Sequence, residues 1–248
     1  MRILVSNDDG VHSPGLHALA RVAQRFGDVR VVAPDVEQSA MSHAITVRRP
    51  LHYTRTKVDG LDAYRVDGTP ADCVALGAHH WDRVDLVLTG INLGLNIGHN
   101  IWHSGTVAAA KQASFLGIPA IAFSAPVAEQ EPDWERLAPF VAQVIELFLA
   151  TPDLPLLNVN FPEGPNGLRW TRMSVRHYEG LVIPGEDPMG RKHYWFAERP
   201  RERVEEGTDR WAVERGYVSL TPLRLNLTDD ERLEAARHRA SAPEPTGG

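Results

Sequence analysis

The sequence predicts an α/β fold, a mostly parallel sheet flanked by helices with a C-terminal arm appended. Short apolar runs alternate with segments of helical periodicity, which is the pattern of βαβ units. Each apolar run ends on polar residues, and open parallel sheets bind ligands at those strand ends. After about residue 165 the helical periodicity weakens, and Pro, Gly and Arg become frequent.

The elements can be justified in order. Arg2–Ser6 reads as a buried strand, Leu16–Phe26 as a helix, and Val29–Ala33 as a second strand stopped by Pro34. Asp85–Thr89 is a third strand. Gly105–Leu116 reads as a helix ended by Gly117, and Pro119–Ser124 as a strand. Trp134–Leu149 is a long amphipathic helix, followed by a strand over Leu156–Phe161. In the arm, Tyr194–Ala197 and Gly216–Leu220 read as strands of an extended hairpin, and Asp229–Arg239 as a short helix. The expected organisation is a core over 1–165, an arm over 166–240 and a frayed Pro/Gly-rich tail over 241–248.

The chain has 248 residues, enough for one large domain with an appendage. A formal net charge of -6 disfavours binding to a nucleic-acid polymer, which needs a basic face. The one cysteine, Cys73, allows no intrachain disulfide and fits a reducing compartment. No signal peptide and no membrane-spanning apolar run is evident, so a cytoplasmic location is expected.

Four constellations carry the chemistry. Asn7-Asp8-Asp9-Gly10 follows the first strand. Adjacent carboxylates repel each other and a cation relieves the repulsion, although the same tetrapeptide also suits an Asx turn. In Gly90-Ile91-Asn92-Leu93-Gly94-Leu95-Asn96-Ile97-Gly98-His99-Asn100 glycine and asparagine each recur every fourth residue. Backbone amides there can bind anions and Asn carbonyls can ligate hard cations, and the place of the loop after a buried strand favours this over a loop that merely caps neighbouring helices. Ser104-Gly105-Thr106 opens a helix, where hydroxyls and amides either cap the helix or seat a phosphate. Gln38-Ser39 lies in a short polar loop after Pro34-Asp35. The histidine pairs His79-His80 and His99/His103 lack zinc-site spacing and read as surface or capping residues. Walker A, G-x-G-x-x-G and G-x-S-x-G motifs are absent, which disfavours P-loop, dinucleotide and serine-hydrolase chemistry.

The same residues carry a family resemblance. Arg2 to Gly10, Ala33-Pro34-Asp35 with Gln38-Ser39, and Asp67 to Val74 resemble the SurE family of stationary-phase survival proteins, which are 5′/3′-nucleotidases. So do Gly90-Ile91-Asn92 with Gly94, Asn96 and Gly98, then Ser104 to Ala110, Asn158-Val159-Asn160, Gly207-Thr208-Asp209 and Gly216 to Leu223. The resemblance implies a Rossmann-like core and an arm exchanged between subunits in a homodimer or homotetramer. It implies one Mg²⁺ or Mn²⁺ per subunit at Asp8, Asp9, Ser39 and Asn92, and a substrate phosphate near Asn96, Ser104, Gly105 and Thr106. Departures from the family pattern fall at Val36, Ser42, His103 and Gln112.

The expected activity is hydrolysis of nucleoside 5′-monophosphates, with 3′-monophosphates as further substrates. Asp8, Asp9, Asn96 and Ser104 would carry it, and His43 and His103 are candidates for the general acid. Two alternatives are a phosphatase acting on short polyphosphate or another phosphomonoester, and a nucleotide-binding module without catalysis.

Overall fold

Alternate residues of a strand face opposite ways, and the first strand shows the consequence. Ile3 and Val5 join one apolar cluster and Leu4 joins another, on the opposite face. All three are wholly buried, so the strand is covered on both sides, as parallel strands usually are. The computed structural model describes residues 1–127, 131–175, 178–200 and 203–240. The expected frayed tail over 241–248 lies outside the described residues.

The strands are β1 (Arg2–Ser6), β2 (Asp28–Pro34), β3 (Tyr53–Val58), β4 (Leu61–Val66), β5 (Leu86–Leu93), β6 (Ala120–Ala125), β7 (Leu156–Asn160), β8 (Leu168–Trp170), β9 (Tyr178–Glu186), β10 (Lys192–Pro200) and β11 (Val218–Pro222). The helices are α1 (Pro14–Ala23), α2 (Pro70–His79), α3 (Gly105–Phe115), α4 (Trp134–Leu149), α5 (Asp209–Glu214) and α6 (Asp230–Ala240), with a 3₁₀ turn over Gly98–Trp102. Nine strands form one sheet in the order β3-β4-β2-β1-β5-β6-β7-β11-β8. The pairs β1·β2, β1·β5, β2·β4, β5·β6 and β6·β7 are parallel. Strand β3 runs antiparallel to β4, and β11 antiparallel to β7.

Helices α1 and α4 cover one face of the sheet through Leu16, Leu19, Val141 and Ile145. Helices α2 and α3 cover the other through Val74, Val107, Ala109 and Ala110. Each fully buried Leu, Ile or Val contributes about 1.5–3 kcal/mol. The chain leaves β1 for β2 on one side and later enters β5 on the other. The order reverses there, so the carboxyl ends of β1 and β5 flank a topological switch point.

The structure departs from the expected elements in two places. The sequence reading had no element between Asp35 and Asp85, where β3, β4 and α2 form. The expected pairing of Tyr194–Ala197 with Gly216–Leu220 is also replaced. Strand β10, which contains Tyr194–Ala197, pairs with β9 as a separate two-stranded ribbon. Val218 and Leu220 are wholly buried, and β11 completes the main sheet between β7 and β8. The sheet therefore continues past residue 165. Among the described residues, no helix is long and apolar enough to cross a membrane.

Candidate active site

Asp8 and Asp9 follow β1, at the switch point. Asp8 is 4% exposed, and burial raises its carboxyl above the ordinary range. Hydrogen bonds oppose that rise, the largest from the Thr106 hydroxyl, which donates to Asp8 Oδ1. Asp9 is pushed up to about 7, first by burial and then by the charges of Asp8 and Glu37, against a backbone N–H of Leu93. The Asp9 Oδ2 atom is buried and has no hydrogen-bond partner among the described residues. An uncompensated buried carboxylate is costly, and a cation is the usual remedy.

Three other segments converge on this pair. The backbone N–H of Gln38 donates to Asp8 O at 2.8 Å, and that of Ser42 to His103 O at 3.0 Å. The loop between them holds Ser39 at the site, with Ala40 and Ser42 at φ of 57° and 55°. Such angles cost a side-chain-bearing residue about 1–2 kcal/mol each. Ser39 Oγ donates to Glu37 Oε1 at 2.6 Å and keeps its lone pairs.

Strand β5 is interrupted between Thr89 and Asn92, where its register against β6 shifts. The interruption re-aims Asn92. It depends on Gly90, which has φ of 115°, and a Cβ there would lie 2.2 Å from Phe123 O. Asn92 Nδ2 donates to Gly94 O at 2.6 Å, which leaves its carbonyl oxygen for another partner.

Helix α3 supplies the fourth segment. Ser104 is its N-cap, and Ser104 Oγ accepts the Val107 N–H at 3.0 Å. That bond uses a lone pair, so the hydroxyl proton is still free to donate. Capping and phosphate binding are therefore compatible at this residue. Gly105 brings the helix start onto Asp8, since a Cβ there would stand 2.8 Å from Asp8 Cβ and Oδ2.

Asp8, Ser39, Asn92, Asn96, Asn100, His103 and Ser104 line one cleft of about 240 Å³. Five residues expected at the site thus share that wall: Asp8, Ser39, Asn92, Asn96 and Ser104. Thr106 does not join them, because it is wholly buried and its hydroxyl is given to Asp8. It orients a carboxylate where the sequence reading had it touching phosphate. His43 is also elsewhere. It meets Gln112 Oε1 at 2.9 Å, stacks on Phe115, and lines an apolar groove with Trp102 and Leu225. The departure at Gln112 thus has a physical partner.

The sequence reading missed how Asn96 is held. Its backbone N–H donates to Asn160 Oδ1 at 2.7 Å, and its carbonyl accepts from Asn158 Nδ2 at 2.8 Å and Asn160 Nδ2 at 3.2 Å. Its own Nδ2 donates to Ser124 Oγ at 2.8 Å, leaving one amide hydrogen for the cleft. The polar ends of β6 and β7 were the available signal. Asn100, whose buried Oδ1 has no partner among the described residues, lay inside the recognised loop without a role.

The donor set consists of hard oxygens: two carboxylates, an amide carbonyl and a hydroxyl. Those suit Mg²⁺ or Mn²⁺ rather than a thiophilic metal. Among the described residues no three His, Cys, Asp or Glu side chains group to hold a metal, so neutral oxygens must complete any set here.

Known proteins resemble this chain over most of its length. The family model described as Survival protein SurE matches residues 3–180. A protein of Thermus thermophilus named 5′-nucleotidase SurE 1 is 52% identical, over 95% of this chain and 96% of its own length. The 5′-nucleotidase SurE of Deinococcus radiodurans is 46% identical, over 92% of this chain and 88% of its own. The crystal structure of the Sure protein from Aquifex aeolicus superposes with a TM-score of 0.84 at 40% identity, covering 97% of this chain and all of that one. The chain belongs to the SurE family.

Proposed function

We propose that the chain is a divalent-metal-dependent nucleotidase that hydrolyses nucleoside 5′-monophosphates, and 3′-monophosphates as well, to nucleoside and phosphate. The observation that carries this reading is the convergence of Asp8, Ser39, Asn92, Asn96 and Ser104 on one cleft, next to an Asp9 carboxylate oxygen without a partner among the described residues. The names of the Thermus and Deinococcus relatives support the reaction class.

Asp8, Asp9, Ser39 and Asn92 would hold one Mg²⁺ or Mn²⁺ per subunit. When bound, the cation supplies Lewis-acid polarisation of the phosphoryl oxygens and a more acidic water. The remaining groups act directly on the substrate. The Ser104 hydroxyl and the free Asn96 amide hydrogen donate to equatorial phosphoryl oxygens, where charge builds up. Gly105 contributes its backbone N–H at the start of α3. Thr106 keeps Asp8 oriented. His103 lines the cleft and would be the proton donor to the leaving nucleoside oxygen, whereas His43 is engaged with Gln112.

The exposed ribbon of β9 and β10 supports assembly as a homodimer or homotetramer through the arm. The single buried thiol Cys73 fits a reducing, cytoplasmic setting.

The test is phosphate release from a panel of 5′- and 3′-nucleoside monophosphates, with short polyphosphate as competitor, in EDTA, Mg²⁺ or Mn²⁺. Release from 5′-monophosphates that EDTA abolishes is expected. Release undiminished by EDTA, or faster on polyphosphate than on any nucleotide, would sink this reading.

A further inference from the structure

Asp209 is a wholly buried carboxylate outside the cleft, and the reading above gives it no role. Its Oδ2 accepts the backbone N–H of Gly98 at 2.8 Å, across 111 residues of sequence. Gly98 opens the 3₁₀ turn that leads to Asn100, His103 and Ser104 on the cleft wall. Backbone hydrogen bonds run along that stretch: Asn100 N–H donates to Ile97 O, and the N–H groups of His103 and Ser104 both donate to Asn100 O, each at 3.1 Å.

The other carboxylate oxygen has different partners. Asp209 Oδ1 accepts the Ser174 backbone N–H at 2.9 Å and also the Ser174 hydroxyl. Ser174 lies just before the β9–β10 ribbon in the chain, and Asp209 lies just after it. The two roots are stitched further by Arg172 N–H to Gly207 O and Asp209 N–H to Arg172 O, each at 3.0 Å. Oδ1 also accepts the Arg210 backbone N–H at 2.8 Å at the start of α5, where the Thr208 side chain accepts the Trp211 N–H, whereas Oδ2 is given to Gly98.

We propose that Asp209 is a positioning residue that sets the phosphate-binding wall of the cleft by tying Gly98 to the root of the ribbon at Ser174. One carboxylate bonds both, so the placement of the ribbon's root is felt at Asn100, His103 and Ser104. The metal-holding residues lie on other segments, after β1, in the 38–42 loop and on β5. The inference rests on the nucleotidase reading and adds to it a link between the arm and substrate handling.

The experiment uses the full chain, its Asp209→Asn variant and its Ser174→Ala variant. Initial rates of phosphate release from a nucleoside 5′-monophosphate give KM, the inhibition constant for inorganic phosphate, and the Mn²⁺ activation constant. In Asp209→Asn the group facing Gly98 can no longer accept as a carboxylate. KM and the phosphate inhibition constant are expected to rise about tenfold or more, the scale of one charge-assisted hydrogen bond. The Mn²⁺ activation constant should stay within about twofold. Ser174→Ala should move the same two constants in the same direction, by about threefold. A folded Asp209→Asn with unmoved constants overturns the proposal. So does a rise in which the Mn²⁺ constant moves by the same factor, since that marks a general slackening of the fold. If Asp209→Asn does not fold, Ser174→Ala decides by the same criteria, and unmoved constants there overturn it. An active wild type with unmoved variants fails this inference alone, whereas a wild type that releases no phosphate fails the nucleotidase reading as well.

Discussion

Asp8 and Asp9 share one environment and differ in what satisfies them. Asp8 has the Thr106 hydroxyl, and Asp9 Oδ2 has no partner among the described residues. Replacing Asp8 by Asn keeps shape and removes one charge from the pair. We expect kcat to fall at least about a hundredfold with the fold intact, because the lost charge weakens whatever orients the attacking water. Near-native turnover of Asp8→Asn in saturating Mn²⁺ would refute the assignment. Asp9 also makes stability depend on pH. With a folded-state value of about 7, it binds its proton more tightly folded than unfolded. The stability this gives is present in full below about pH 4 and is lost as pH rises through about 7. Asp67 lies lower, at about 2, held there mainly by the His52 backbone N–H, so it acts only in more acidic solution. In EDTA the melting temperature should therefore fall between about pH 5.5 and pH 8, and Mg²⁺ should raise it more at the higher pH. A metal-free melting temperature that rises over this interval would contradict the burial argument.

The start of α3 is the element on which the site depends most closely. In an open helix, Gly→Ala is worth about 0.5–1 kcal/mol in favour of Ala. At Gly105 that gain is outweighed, because the new methyl would stand 2.8 Å from the Asp8 side chain. Gly105→Ala should lower stability by about 1–3 kcal/mol and reduce kcat by more than tenfold. Melting and kinetics on the same preparation check this, and unchanged kinetics would show that Asp8 can yield at no cost. Much of this level was legible in the sequence. The βαβ strands have apolar runs and polar ends, and those ends supplied Asp8, Asp9 and Asn92. Strand β3 was not legible because Tyr53-Thr54-Arg55-Thr56-Lys57 is a polar edge strand with little apolar alternation. Its turn at Asp59-Gly60 and the capping box of Thr69 and Asp72 on α2 were readable signals that went unused. The polar end of β7 placed Asn158 and Asn160 near the site, but the partners of these two and of Thr106 were not readable, since each depends on contacts with residues 60 or more positions away. Local pattern reports which face a residue takes, but not which distant group it meets there.

At the scale of the whole molecule, the ribbon of β9 and β10 leaves Phe196 90% and Trp195 67% exposed. Large aromatics in that state mark a contact surface. We expect the full chain to scatter light as a dimer or tetramer at micromolar concentration. Replacing residues 178–200 by a short Gly/Ser link should give a folded monomer, because β8 and β11 stay in the main sheet. A monomeric full chain, or an unchanged assembly after the replacement, would remove the arm from the interface. The position of β11 also has a consequence for the order of synthesis. It lies between β7 and β8 in space but is made after both, and after the ribbon. At roughly 5–20 residues per second, the growing chain spends seconds with one side of β7 unpaired while the aromatic ribbon has already emerged. The bare edge and the sticky surface thus coexist on every nascent chain; the last strand to leave the ribosome closes the edge, and the ribbon stays exposed after it.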